Sequence, residues 1–200
     1  MRESNEARLY ILLELALLAS LVLSAYLWDL YPALTSLIGM GIVALPWALY
    51  RKGVVHLPWP VTLAAGSVLV LHSLGIVFQL YDLLWWWDIM THITATLIIA
   101  LVVSLVLLSL DRLLPGMEVP MNLVPGLTLA FVILFGVVWE VLEFAFDGAL
   151  GMNMQYSLDD TATDLTFDIL GGGLVALAIY PLLINMRQAS RSMFFYHERD

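Results

Sequence analysis

Residues 86–110 read WWDIMTHITATLIIALVVSLVLLSL, an apolar run whose only ionisable side chains, Asp88 and His92, both lie near its start. A helix needs about 20 predominantly apolar residues to cross the hydrocarbon core of a bilayer. At this length and polarity, the stretch predicts a membrane span. Its leading tryptophans are typical of a membrane–water interface.

The composition extends this interpretation to the whole chain. Of 200 residues, 62% are hydrophobic and 12% are charged, and the mean hydropathy is +0.91, whereas about a quarter of the residues in a soluble domain are charged. The sequence therefore predicts an all-α, polytopic membrane helix bundle. Six transmembrane helices are expected, at residues 9–28, 31–50, 60–81, 86–110, 121–146 and 162–184. Residues 1–185 would form a single transmembrane domain, and the basic and aromatic tail 186–200 would be a cytoplasmic interfacial segment.

The distribution of basic residues predicts the orientation. With the N-terminus inside, six spans place every Lys and Arg on the cytoplasmic side, namely Arg2, Arg8, Arg51, Lys52, Arg112, Arg187, Arg191 and Arg199. We therefore expect both termini to be cytoplasmic, in a multi-pass protein of the cell (inner or cytoplasmic) membrane. The lipid bilayer is the expected partner, and nucleic acid is excluded because no basic stripe with interleaved aromatic residues exists.

Ionisable residues recur at helical spacing inside three of these spans. Residues three or four apart lie on one face of a helix, and three pairs have this spacing: Asp88 with His92, Glu140 with Glu143, and Asp164 with Asp168. Asp147 and Asp160 extend two of the stripes towards the outer surface. Each such group costs roughly 2.5 to 3.5 kcal/mol in a membrane. The topology places all three pairs in the outer half, so we expect them to face one another or a pocket that opens outward.

The charge of this cluster predicts a bound cation. No basic residue is expected in the outer half, so the carboxyl groups must either be protonated or bind a positive ion. Carboxylates with one imidazole suit zinc, manganese or iron, while an all-oxygen set suits magnesium. The predicted ligands of a divalent metal ion are Asp88, His92, Glu140, Glu143, Asp164 and Asp168. A proton or ion pathway and a hydrogen-bonded structural network are the alternatives.

Three classes of function are compatible with such a site. An enzyme would use metal-activated water on a lipid-linked or small-molecule envelope substrate from the outer side, with Glu140 or Asp164 as the catalytic base. A proton- or cation-coupled transporter would need polar residues that continue to the cytoplasmic side, and few lie below His72 and Asp168. The third class is a membrane assembly subunit with a structural polar core. An isolated histidine such as His72 is expected to be structural.

The motifs also resemble a known group of proteins across residues 82–178. Asp88-x-x-x-His92, Trp139-Glu140-x-x-Glu143 and Asp160-x-x-x-Asp164-x-x-x-Asp168-x-x-Gly171 are similar to motifs of the VanZ-like and YjdF-like small integral membrane proteins. The usual VanZ-like motifs have Lys at the position of Ile89, Gln at Glu143 and Asn at Asp168. The more acidic site places the chain nearer the YjdF-like branch. The resemblance implies that the three polar stripes work as a unit, and it implies no particular reaction.

Overall fold

The computed structural model describes residues 2–52, 59–110, 114, 116–151 and 154–194. These residues form helices joined by turns and short irregular segments. In chain order the helices are α1 (Arg2–Tyr26), α2 (Leu30–Arg51), α3 (Trp59–Val77), α4 (Leu80–Leu83), α5 (Trp87–Leu108), α6 (Val124–Leu150) and α7 (Leu158–Phe194). The prediction of an all-α protein is confirmed for this part of the chain.

Six of these helices are long and apolar enough to cross a membrane: α1, α2, α3, α5, α6 and α7. Large apolar side chains cover much of their outer surface, and the exposed fraction reaches 65% for Leu12 and 78% for Leu177. Such surface is unfavourable in water and favourable against lipid. The chain is therefore a multi-pass membrane protein, as its composition predicted.

The helix boundaries differ from the predicted spans by a few residues at several ends, and two differences, in α3 and α7, change the description of the chain. The predicted span 60–81 is too long, because Gln79 adopts a left-handed backbone conformation (φ 54°, ψ 34°) that separates α3 from the single turn of α4. The last helix begins before residue 162 and continues beyond residue 184 to Phe194. The first part of the predicted tail 186–200 is therefore helical, and residues 195–200 lie outside the described chain, as do Arg112 and Arg199 of the orientation prediction.

The described chain divides into two compact units: the first contains residues 2–87 together with the end of α7 from residue 192, and the second contains residues 88–191. The first is built mainly from α1, α2 and α3, with a core of Tyr10, Leu13, Leu17 and Val43. Three buried serines add polar contacts: Ser36 Oγ lies 2.9 Å from Ser20 Oγ and 3.4 Å from Ser73 Oγ. This unit thus combines apolar packing with hydroxyl contacts between its helices, as is common in membrane bundles.

The second unit is built from α5, α6 and α7 around buried layers. Ala100, Val132 and Val175, one from each helix, form an apolar layer in which each residue is at most 8% exposed. One helical turn beyond this layer, Ser104 Oγ lies 2.9 Å from Thr128 Oγ1 and links α5 to α6. Ala100 follows His92 by two turns of α5, which is about 12 Å along the helix axis. Apolar packing therefore closes the bundle beneath the level of His92.

Glycines allow α7 to approach both of its neighbours closely. A Cβ atom on Gly171 would lie 3.1 Å from the backbone oxygen of Ile93 in α5, and one on Gly172 would lie 2.7 Å from Val132 in α6. Gly173 points away from both helices, with nothing within 4 Å of its Cβ position. The sequence 171–173 thus supplies small residues at the helix contacts, where membrane bundles favour them.

Candidate functional site

The ionisable residues of the second unit lie at one end of the three-helix bundle. Asp88 and His92 occupy the first two turns of α5, and Asp164 and Asp168 lie in the early turns of α7. Because α6 runs in the opposite direction, Glu140 and Glu143 in its last three turns reach the same end. The structure therefore brings together side chains from three helices whose sequence positions span residues 88–168.

Three of the six predicted ligands offer their ligand atoms to a common point. One atom each from Asp88, His92 and Asp164 lies within 4.8 Å of the other two. Within this triplet, His92 Nε2 lies 3.6 Å from Asp88 Oδ1. Donor atoms bound to one ion at about 2.1 Å each lie about 3 to 4 Å apart.

Asp168 contacts the opposite side of the same imidazole. His92 Nδ1 and Asp168 Oδ1 lie 3.1 Å apart. An ionised carboxylate only accepts hydrogen bonds, so this contact requires the proton on Nδ1. In the neutral ring, Nε2 then carries a free lone pair on the side of Asp88. A carboxylate that orients a histidine in this way is the usual support of a metal-binding imidazole.

The α6 carboxyls are buried beside this group. Glu140 is 5% exposed and Glu143 is 9% exposed, and both interact electrostatically with His92. Neither oxygen of Glu140 forms a hydrogen bond of good geometry with a described residue, although the Thr161 hydroxyl lies close enough to interact with it. The structure thus places Glu140 and Glu143 next to the triplet without including them in it.

The cluster is short of positive charge. Asp164 and Asp168 are each 2% exposed, and among the described side chains only His92 lies within ion-pair distance of the cluster, where it carries a positive charge only when its ring is protonated. An ionised carboxylate that is removed from water without a partner is strongly unfavourable. Five neighbouring carboxyls with one imidazole therefore require bound cations or protons.

Two acidic residues from the predicted stripes contact the backbone between α6 and α7. Asp147 accepts hydrogen bonds from the backbone N–H groups of Met154 (2.8 Å) and Gln155 (2.9 Å). Asp160 Oδ2 accepts from the N–H of Tyr156 at 3.3 Å. These carboxylates hold the connection between α6 and α7, because a turn leaves backbone donors without helical partners. Asp160 also interacts electrostatically with Asp88, Glu140 and Asp164, so it lies near the cluster as its spacing predicted.

One residue at the site carries no sequence signal that would single it out. A Cβ atom on Gly136 of α6 would lie 2.5 Å from Asp168 Oδ2, so only glycine leaves room for this carboxylate. Gly136 is a single glycine in an apolar helix, and no motif marks it. The Nδ1 of His72 lies 2.7 Å from the Tyr81 hydroxyl, so this ring nitrogen has a partner within the first unit.

Comparison with known proteins agrees with this architecture. Residues 8–185 match the family model described as "Predicted membrane protein (DUF2238)". The chain belongs to this family. The matched range contains all the predicted ligand residues, namely Asp88, His92, Glu140, Glu143, Asp164 and Asp168. This description does not include the VanZ-like and YjdF-like names that the motifs suggested, so the family shown is one of predicted membrane proteins.

A relative of the DUF2238 protein occurs in Thermotoga maritima and is described as "Uncharacterized protein". The two are 32% identical over 127 residues, which cover 62% of this chain and 64% of the relative. The chain thus matches less than two thirds of the length of that relative. No solved structure matches the chain.

Proposed function

We propose that the second unit of this DUF2238 protein binds a divalent cation through Asp88, His92 and Asp164. The observation that carries the proposal is the convergence of one ligand atom from each residue within 4.8 Å. The contact between His92 Nδ1 and Asp168 supports it, because it leaves the free lone pair on Nε2, which lies 3.6 Å from Asp88 Oδ1. Asp168 is then a positioning residue rather than a ligand, which narrows the six-residue set predicted from sequence.

The donor set favours particular metals. One imidazole with two carboxylates suits zinc, manganese or iron better than magnesium or calcium, which prefer oxygen ligands alone. Three protein ligands also leave at least one coordination position open, as in catalytic rather than structural zinc sites. The site therefore supports binding of an exchangeable ligand such as water or a substrate oxygen.

The reaction that we propose is metal-dependent hydrolysis of a lipid-linked or other envelope substrate reaching the site from the outer side. When bound, a divalent ion supplies Lewis-acid polarisation and lowers the pKa of water. Asp164 is a ligand in this arrangement, so the prediction of a catalytic base rests on Glu140. Transport is less well supported, because the buried layer of Ala100, Val132 and Val175 interrupts the polar groups along the bundle. We also propose, from the likeness of their motifs, that the protein is related to the VanZ-like and YjdF-like membrane proteins.

Thermal unfolding of the purified protein in detergent tests whether the carboxyl cluster binds a metal ion or is neutralised by shared protons. A ligand that binds only the folded state stabilises it by RT ln(1 + [L]/Kd), about 2.7 kcal/mol at a hundredfold excess over Kd. We therefore expect the melting temperature to rise with free zinc or manganese. In a network of shared protons, the folded state would bind more protons than the unfolded state, and stability would rise as pH falls. Two results together would contradict the metal site and support the proton network. The melting temperature would not respond to zinc, manganese, iron, magnesium or calcium at neutral pH, and the stabilisation by acid would disappear in Glu140→Gln/Asp164→Asn.

Substitution of Gly136 tests the positioning role of Asp168. In Gly136→Ala, the new methyl group would displace the Asp168 carboxylate and weaken its hydrogen bond to His92. Loss of such outer-shell support typically costs 10- to 100-fold in metal affinity, so we expect a loss of about that size by zinc titration. Gly126→Ala is the matched control on α6, because nothing lies within 4 Å of its Cβ position. Equal affinities of the two variants would show that Asp168 does not orient His92 for binding.

A further inference from the structure

Glu140 has a buried carboxyl group that the proposed ion site leaves largely unused. The side chain is 5% exposed, and both oxygens lack a hydrogen bond of good geometry to a described residue. The nearby Thr161 hydroxyl has one proton to donate and itself accepts from Gln155 Nε2 at 2.7 Å. A carboxylate accepts about four hydrogen bonds. Even with Thr161 as a partner, most of the acceptor capacity of Glu140 stays empty.

Glu143 adds a second carboxyl to the same face of α6. The two residues lie about one turn apart, so their side chains are neighbours on the helix surface. Glu143 is 9% exposed, and it interacts electrostatically with Glu140, His92 and Asp88. Both carboxyls therefore face the triplet contributed by α5 and α7 rather than lipid.

The charge balance requires more than one divalent ion if the carboxyls are ionised. The cluster contains five carboxyls, namely Asp88, Glu140, Glu143, Asp164 and Asp168. One divalent ion at the triplet offsets two of these negative charges, and among the described side chains His92 is the basic group that interacts with the α6 pair, without forming an ion pair with it. Two neighbouring carboxylates that cannot separate are held together by a shared cation in many two-metal sites.

We infer that Glu140 and Glu143 bind a second divalent cation beside the ion at Asp88, His92 and Asp164. This inference rests on the proposed function, since it adds a second ion to the same site. It replaces the role of general base for Glu140 with that of a metal ligand. The centre would then contain one half from α5 and α7 with an imidazole ligand and one half from α6 with oxygen ligands alone. A two-ion site of this type is suited to phosphate esters, because two cations can hold both the attacking and the leaving oxygen.

Manganese stoichiometry of the full-length protein tests the second ion. Equilibrium dialysis against Mn²⁺ in detergent, followed by elemental analysis, is expected to give about two ions per chain for the unmodified protein. The isosteric variant Glu140→Gln/Glu143→Gln should retain about one, at the triplet. The matched control Glu118→Gln/Asp159→Asn removes the same number of negative charges from exposed positions outside the cluster and should retain about two. Melting curves without metal establish that each variant is folded.

The outcomes separate the second ion from the first. About one ion in the unmodified protein would overturn the second ion and leave the proposed function intact. No bound ion would overturn the proposed function itself and the second ion with it. Equal stoichiometry in the unmodified protein and in Glu140→Gln/Glu143→Gln would show that these two residues are not its ligands. Spin coupling between the two Mn²⁺ ions, detected by electron paramagnetic resonance and lost in Glu140→Gln/Glu143→Gln, would support a shared centre.

Discussion

Replacement of His92 by alanine is expected to weaken the tightest zinc site by more than about 100-fold, because loss of the ligand exceeds the 10- to 100-fold cost of losing its outer-shell support. His92 supplies the imidazole of the triplet, and its two ring nitrogens connect Asp168 to Asp88. The substitution removes a metal ligand and leaves the carboxyls without their single ion-pair partner among the described side chains. Isothermal titration of zinc into the detergent-solubilised protein measures the change.

His72→Ala is the matched control for this measurement. His72 is also partly buried, and it makes a hydrogen bond of 2.7 Å to the Tyr81 hydroxyl, but it belongs to the other compact unit. We expect zinc affinity to change less than about threefold in this variant, which is below 1 kcal/mol. Similar losses in both variants would mean that histidine substitution acts through general destabilisation. Unchanged affinity in His92→Ala would exclude His92 as a ligand.

Two neighbouring glycines of α7 are expected to respond in opposite ways to the same substitution. In Gly171→Leu, the side chain would begin 2.5 Å from Thr96 Oγ1 and 3.1 Å from the backbone oxygen of Ile93. Backbone cannot give way as a flexible side chain does, so α7 must move away from α5. We expect a loss of about 3 kcal/mol in the free energy of unfolding, at the upper end of the usual cost of overpacking.

Gly173→Leu tests whether this loss arises from the helix contact. Nothing lies within 4 Å of the Gly173 Cβ position, and leucine has a higher helix propensity than glycine by about 0.8 kcal/mol. We therefore expect unchanged or slightly higher stability. Unfolding in detergent by increasing denaturant, followed by circular dichroism, compares the two variants. Equal destabilisation would contradict the close approach of α5 and α7 at Gly171.

The number of spans and the polar stripes could be predicted from the sequence for simple physical reasons. Span number follows from the length of apolar runs, and this property is local to each run. The stripes follow from helical periodicity, which places Asp88 beside His92 and Asp164 beside Asp168 whatever the rest of the fold does. That these residues meet across α5 and α7 also follows, because lipid is an unfavourable environment for all of them.

Other features depend on contacts that no local pattern specifies. The space that Gly136 leaves for the Asp168 carboxylate depends on the rotation and separation of α6 and α7, and sequence spacing fixes neither. The choice of Asp168 rather than Asp164 as the partner of His92 Nδ1 depends on the same packing. The break at Gln79 was missed because glutamine is not a usual residue for a left-handed conformation. Spacing also could not show that Asp147 and Asp160 serve the backbone of a turn.

The position of Asp168 has a consequence for how the protein is made. Asp168 lies about three turns into the membrane-spanning helix α7, and an aspartate inside a span opposes membrane insertion, by up to about 3 kcal/mol at the centre of a single helix. The residues that contact or make room for Asp168 precede it in the chain and leave the ribosome first. They are His92 in α5 and Gly136 in α6. The receiving surface for Asp168 is thus synthesised before the helix that needs it. Insertion of α7 therefore depends on its packing against α5 and α6 as well as on its own partitioning into lipid, and the residues that it packs against are translated earlier.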